Sequence, residues 1–140
     1  EESIKIEEAI AKALKLEAVD PRTYSPLVLA YIGDAVYELL IRTKVINHGS
    51  MQVNKMHKKS ASLVKAETQA NIIKAIQDDL TEEELAVFRR GRNAQVHSIP
   101  SHASRAQYST ATALEALFGW LYLGGQRQRA SDLFDVMMEE

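Results

Sequence analysis

Asp34 is the residue in this chain with the clearest chemical potential. With Gly33 before it, it interrupts the apolar stretch Leu27–Arg42. Both are poor helix formers, Gly by about 1 kcal/mol relative to Ala. A bare carboxylate among apolar side chains is costly unless a cation, a base or a proton meets it. Gly33 lets another backbone or a substrate approach closely. Asp34 therefore reads either as half of an ion pair with a core-edge Arg or as a ligand for a cation. Glu38 lies one turn on, on the same face, and two carboxylates so placed can hold a hard divalent cation through oxygen. Arg42 follows by another turn, in the Glu-before-Arg order that favours an ion pair, so Glu38 has a structural explanation as well. A second acid, Glu115, sits in the apolar run Thr112–Leu121, with Gly119 one turn later. Glu is an ordinary helix residue, and it gains interest only beside Asp34. A cation site needs acids brought together from separate elements.

Two basic clusters are the other candidates: Met56-His57-Lys58-Lys59-Ser60 and Arg89-Arg90-Gly91-Arg92-Asn93. Such clusters suit phosphate contacts, which give affinity without reading base sequence. Duplex RNA is recognised mostly in this way, by shape, phosphates and 2′-hydroxyls. The net charge of −2 excludes a generic polyanion binder, but the charge is sorted along the chain. No acid lies between Glu38 and Glu67, where Arg42, Lys44, Lys55, Lys58, Lys59 and Lys65 fall, nor between Glu84 and Glu115, where Arg89, Arg90, Arg92 and Arg105 fall. If these stretches meet in space they form one basic face on an acidic body. Otherwise they are solvated turns. His57, His97 and His102 lack metal-ligand spacing, and no P-loop, Gly-x-Gly-x-x-Gly or Ser-His-Asp order is present. The aromatic residues, Tyr31 and Tyr37 among them, read as core packing rather than a base-stacking platform.

The elements that must position these groups are helical. Apolar residues recur at helical spacing, no alternating strand pattern appears, and the expected fold is all-α with about seven helices in a single domain over 1–140. Expected helices cover 4–18, 26–46 (capped by Ser25-Pro26), 53–59, 61–77, 81–90 (opened by a Thr81 capping box and closed by Gly91), 111–123 (capped by Ser109 or Thr110) and 127–138. Residues 92–108 read as a long loop, a length that usually signals function or disorder. There is no Cys, so disulfides and thiolate metal sites are excluded and a cytoplasmic home is the simplest expectation. The apolar runs are too short to cross a bilayer, and Glu1-Glu2 has the wrong sign for a signal peptide.

Tyr31-Ile32-Gly33-Asp34-Ala35-Val36 resembles the signature helix of the ribonuclease III family, and Glu115-Ala116-Leu117-Phe118-Gly119 resembles its second acidic motif. Leu29–Ala35, His57–Ser60, Arg90–Ala94 and Tyr108–Ala111 look like the Mini-III branch, which keeps the catalytic domain and lacks the double-stranded-RNA-binding domain. The likeness covers roughly 25–125. It implies a ribonuclease III-type homodimer that cleaves double-stranded RNA with Mg²⁺ or Mn²⁺, leaves 5′-phosphate and 3′-hydroxyl ends, and trims precursor 23S ribosomal RNA. Asp34 and Glu115 match the family's metal-binding catalytic acids. Tyr31 falls where the family docks an aromatic into the partner subunit. The larger family has further acids where this chain has Leu27, Ala30 and Thr112, which makes Glu38 a candidate supplementary metal ligand. His57, Lys58, Lys59, Arg90, Arg92, Asn93 and Thr112 are the candidate RNA contacts. A fold-retaining, inactive duplex-RNA-binding module and a helical adaptor without nucleic acid are the rival readings.

Overall fold

The computed structural model describes residues 6–47, 55, 58, 77–94 and 105–138. Among them lie five α-helices, α1 (Ile6–Ala13), α2 (Pro26–Asn47), α3 (Glu82–Arg92), α4 (Arg105–Leu123) and α5 (Arg127–Met138), and two 3₁₀ turns, Pro21–Thr23 and Gln77–Asp79. No strand occurs among the described residues. The expected helices over 53–59 and 61–77 fall outside them, except that Lys55 and Lys58 are helical and exposed.

Helix α4 is the centre of the fold. It packs along α2 and α3 and touches α5. Ala113, Leu114, Ala116, Leu117, Phe118 and Leu121 are fully buried. A helix that is apolar on most sides has to be covered on most sides. Leu29, Tyr37, Ile41 and Val45 of α2, Val87 and Phe88 of α3, and Leu133, Phe134 and Met137 of α5 complete the same core. Burying one such large side chain stabilises the fold by about 1.5–3 kcal/mol.

The ends of the helices follow the local chemistry. The Ser25 hydroxyl accepts from Val28 N–H at 3.3 Å and opens α2. Thr81 and Glu84 form the reciprocal capping box that opens α3, with Thr81 N–H donating to Glu84 Oε1 at 2.9 Å and Glu84 N–H donating to Thr81 Oγ1 at 3.2 Å. Glu84 is also buried, and Arg129 of α5 grips it with Nε on Oε2 and Nη2 on Oε1, both at 2.7 Å. Arg129 Nη2 donates in addition to the Asp79 carbonyl at 2.7 Å. Burial alone would raise the Glu84 carboxyl, but the Arg129 guanidinium and the Thr81 N–H outweigh it and hold the group below the usual carboxylate range.

Five expectations from the sequence change. Residues 105–108, expected within a loop over 92–108, belong to helix α4, while residues 95–104 of that stretch lie outside the described residues. Thr110 does not cap a helix at 111. Its hydroxyl donates back to the Ala106 carbonyl at 2.9 Å, inside α4, an alternative open to Ser and Thr within helices. Gly91 does not close α3, which runs on to Arg92. Helix α1 ends at Ala13 rather than near residue 18, because Lys15 turns left-handed at φ 56° and Leu16 N–H closes on the Ala11 carbonyl at 2.9 Å. Tyr31, read among the core aromatics, is 84% exposed.

Candidate active site

The site lies where α2 crosses α4, and two glycines make the crossing. A Cβ on Gly33 would stand 1.6 Å from the Glu115 carbonyl oxygen, and one on Gly119 would stand 2.0 Å from the Leu29 carbonyl oxygen. Each glycine lets the opposite backbone in, and no other residue type can occupy either place without separating the helices. Asp34, next to Gly33, is thereby delivered beside Glu115. The close approach read from Gly33 in the sequence is an approach of backbone, and it is what pairs the two acids.

Leu27, Tyr31, Asp34 and Glu38 form one stripe on α2, and Tyr108, Thr112 and Glu115 form the facing stripe on α4. Together with Ala30, Ile32 and Ala35 they line an open cleft of about 670 Å³. Asp34 is exposed at its mouth and Glu115 is half-buried in its wall. Burial first, and the neighbouring Asp34 carboxylate within hydrogen-bonding reach second, push Glu115 up to about 9. Burial and the like charge beside it both favour the protonated form of Glu115 over its carboxylate. Replacing that proton with a cation is the natural way to ionise both. A hard divalent ion of the Mg²⁺ class is bound by one or two carboxylates plus water and substrate phosphate, so Asp34 and Glu115 fit such an ion.

Glu38 lines the same cleft but is held by Arg42, whose Nη2 and Nε donate to Glu38 Oε1 at 2.6 Å and 3.1 Å. Its structural explanation is the one the molecule contains. Among the described residues no group of three or more His, Cys, Asp or Glu side chains is arranged to hold a metal ion. Glu38 therefore does not complete a third ligand. Thr112 is buried, with its hydroxyl donating to the Tyr108 carbonyl at 3.0 Å, so it walls the cleft rather than reaching out of it.

The basic end of α3 docks on the same part of α4. A Cβ on Gly91 would lie 2.8 Å from Ala113 Cα and 3.0 Å from Ala116 Cβ, so α3 ends against the turn that carries Glu115. Arg89, Arg90, Arg92 and Asn93 are exposed there. Arg90 Nη2 reaches the Tyr24 carbonyl at 3.4 Å, and the Arg92 guanidinium sits 6.0 Å from the Phe88 ring centroid. Lys58 is exposed, while His57, Lys59, His97 and His102 lie outside the described residues. Two further residues build the site without a role assigned from the sequence: Tyr108, which marks the Tyr108–Ala111 motif and lines the cleft two turns before Glu115, and Gly119, the second half of the crossing.

An acid pair held by a helix crossing, with a cationic helix end alongside, is an arrangement suited to a phosphodiester. Residues 27–126 match the ribonuclease III domain family, and the chain belongs to that family of endoribonucleases. Its relatives place it in the Mini-III branch. Mini-ribonuclease 3 of Symbiobacterium thermophilum is 42% identical over 121 residues, covering 86% of this chain and 93% of its own length. Mini-ribonuclease 3 of Thermoanaerobacter is 44% identical over 115 residues, covering 82% and 81% respectively. A solved structure of a Fusobacterium nucleatum protein superposes with a TM-score of 0.77 at 32% identity, over 86% of this chain and 96% of that one.

Proposed function

We propose that this chain is a divalent-metal-dependent endonuclease of double-stranded RNA, working as a cytoplasmic homodimer in the maturation of precursor 23S ribosomal RNA. The observation that carries the catalytic part is the Asp34–Glu115 pair, two acids brought within hydrogen-bonding reach at a backbone-to-backbone helix crossing. A bound Mg²⁺ or Mn²⁺ would supply a water of lowered pKa and charge neutralisation at the scissile phosphate. Asp34 and Glu115 would hold that ion, Glu115 giving up its proton to do so. The Glu38–Arg42 pair on the same stripe leaves Glu38 a neutralised wall of the cleft. Arg90, Arg92 and Asn93, with Lys58, would hold the phosphates of the duplex on either side. Hydrolysis that leaves a 3′-hydroxyl requires in-line attack by water opposite the 3′-oxygen, and the product ends are then 5′-phosphate and 3′-hydroxyl.

The exposed Tyr31, with Leu27, Val28 and Leu39 also exposed on α2, supports a subunit contact beside the cleft, since large apolar groups grouped on one helix mark an interaction surface. Such a dimer would bring two clefts to one duplex. Tyr31→Asp should then convert a dimer to a folded monomer in sedimentation velocity, and an unchanged dimer would remove Tyr31 from the interface.

The decisive experiment is cleavage of a long RNA duplex by the purified chain with Mg²⁺. Asp34→Asn and Glu115→Gln should each abolish product, and EDTA should do the same to the parent. Full activity in either variant would overturn the site. Binding of duplex without cleavage by the parent would favour the inactive-module reading.

A further inference from the structure

The cleft is acidic where a polyanion has to enter. Among the described residues that line it, Asp34, Glu38 and Glu115 are acids and none is a cation. A divalent ion on Asp34 and Glu115 would neutralise one phosphate, and a duplex strand brings its neighbours with it. The basic end of α3 serves the α4 side, against the turn of Glu115. On the α2 side the stripe of Tyr31, Asp34 and Glu38 continues one turn further to Arg42. Side chains on an α-helix lean toward its N-terminus, so the head of a long residue covers the turn before its own Cα. The bonds of Arg42 agree, with Nη2 and Nε both donating to Glu38 Oε1 at 2.6 Å and 3.1 Å. The guanidinium therefore lies over the turn of Glu38, about 5.4 Å of helix rise beyond that of Asp34. It is also accessible, the Arg42 side chain being 55% exposed. An exposed pair of this kind contributes little to folding, so stability is a weak reason for its presence.

We propose that Arg42 is a further RNA-binding residue of the cleft: Glu38 holds the Nε–Nη2 edge of its guanidinium, and the Nη1–Nη2 end grips the phosphate next to the scissile one. This deepens the duplex-RNA reading above and rests on it. A guanidinium is a planar, rigid fork of N–H donors with more than one usable edge. Glu38 takes one N–H from Nε and one from Nη2. The remaining N–H groups, on Nη1 and Nη2, have no partner among the described residues. Two parallel N–H groups match two phosphate oxygens. A head already fixed by its carboxylate loses less freedom when the strand arrives, which favours binding. Arg42 also separates the phosphate from the Glu38 charge, so the acid can stay in the cleft wall without repelling the strand. A lysine in its place would carry the same charge without the second edge.

The test compares Arg42→Ala and Arg42→Lys with the parent on an RNA duplex whose cleavage site has been mapped with the parent. Arg42→Ala should raise KM roughly tenfold or more, the size of a lost hydrogen-bonded contact to a charged group. It should also flatten the plot of log affinity against log salt by about one unit. Its melting temperature, and its Mn²⁺ affinity by calorimetry without RNA, should stay close to the parent's. Arg42→Lys should restore the salt slope but only part of the affinity. Duplexes with a single uncharged methylphosphonate linkage, stepped along the strand near the cut, locate the contact. The parent should lose affinity at a linkage beside the cut, and Arg42→Ala should lose nothing further there. An unchanged KM and salt slope in Arg42→Ala would overturn the assignment, as would equal methylphosphonate losses in parent and variant at every linkage. Weakened Mn²⁺ binding in Arg42→Ala would move the effect to the metal site and overturn it too. Full recovery of affinity by Arg42→Lys would overturn the two-edged grip. A parent that neither binds nor cleaves duplex RNA would overturn the duplex-RNA reading itself, and this assignment with it.

Discussion

Raising the pH should tighten divalent-cation binding by close to a decade per unit until about pH 9, where Glu115 loses its proton. The reason is competition: the ion and the proton seek the same carboxyl. At pH 7 the gap to about 9 is two units (9 − 7), so roughly one molecule in a hundred has Glu115 ready. Affinity at pH 7 should therefore lie about a hundredfold below its limit, and at pH 8 about tenfold below. Mn²⁺ titration by calorimetry without RNA, at pH 6.5, 7.5 and 8.5 and in buffers of different ionisation enthalpy, measures both the affinity and the protons released. Close to one proton should leave per ion bound at pH 7.5. Glu115→Gln should bind weakly and without this slope. Equal affinity across the range, or binding with no proton release, would refute the raised Glu115 carboxyl. The sign for stability runs the other way. Glu115 is raised in the folded state, so in EDTA its contribution is fully present below the ordinary value of 4.5 and is lost as the pH rises through about 9.

The glycine crossing gives a sharp contrast. Gly33→Ala and Gly119→Ala force a Cβ onto opposing backbone and should destabilise by about 3 kcal/mol or more in urea unfolding, whereas Gly124→Ala, whose nearest neighbour is the Trp120 carbonyl at 3.1 Å, should fold with a far smaller loss. Arg129→Met leaves Glu84 buried without its cation and should cost about 3–5 kcal/mol near neutral pH. Glu84 is depressed in the folded state, so this contribution is present above its ordinary value of 4.5 and disappears as the pH falls through the lowered folded value. Urea midpoints measured between pH 3 and 7 should therefore converge for parent and variant at the acid end. Arg90→Ala with Arg92→Ala should weaken duplex RNA binding and flatten the plot of log affinity against log salt by about one unit or more. An unchanged slope would remove the end of α3 from the RNA face.

Several features are determined by local sequence. The caps at Ser25 and Thr81 are hydrogen bonds between residues three apart, so their chemistry is complete within a few residues. Helix α2 runs over Pro26–Asn47 because its apolar and breaker residues specify a long helix with a Pro-favoured start. Asp34 and Glu115 stand out for the same local reason, an acid set in an apolar run beside or before a glycine. Other features needed the tertiary structure. Thr110 and Gly91 look like a helix start and a helix stop, but a hydroxyl can bond back inside a helix, and a glycine can serve the neighbouring helix instead of the turn. Glu38 is placed by spacing both beside Asp34 and beside Arg42, and only the arrangement of the side chains in space pairs it with Arg42. The pairing of Asp34 with Glu115, and the raised Glu115 carboxyl that follows from it, depend on Gly33 and Gly119 admitting each other's helix. That contact joins residues about eighty positions apart, and it is beyond the reach of any local pattern because its energy exists only after the two helices have met.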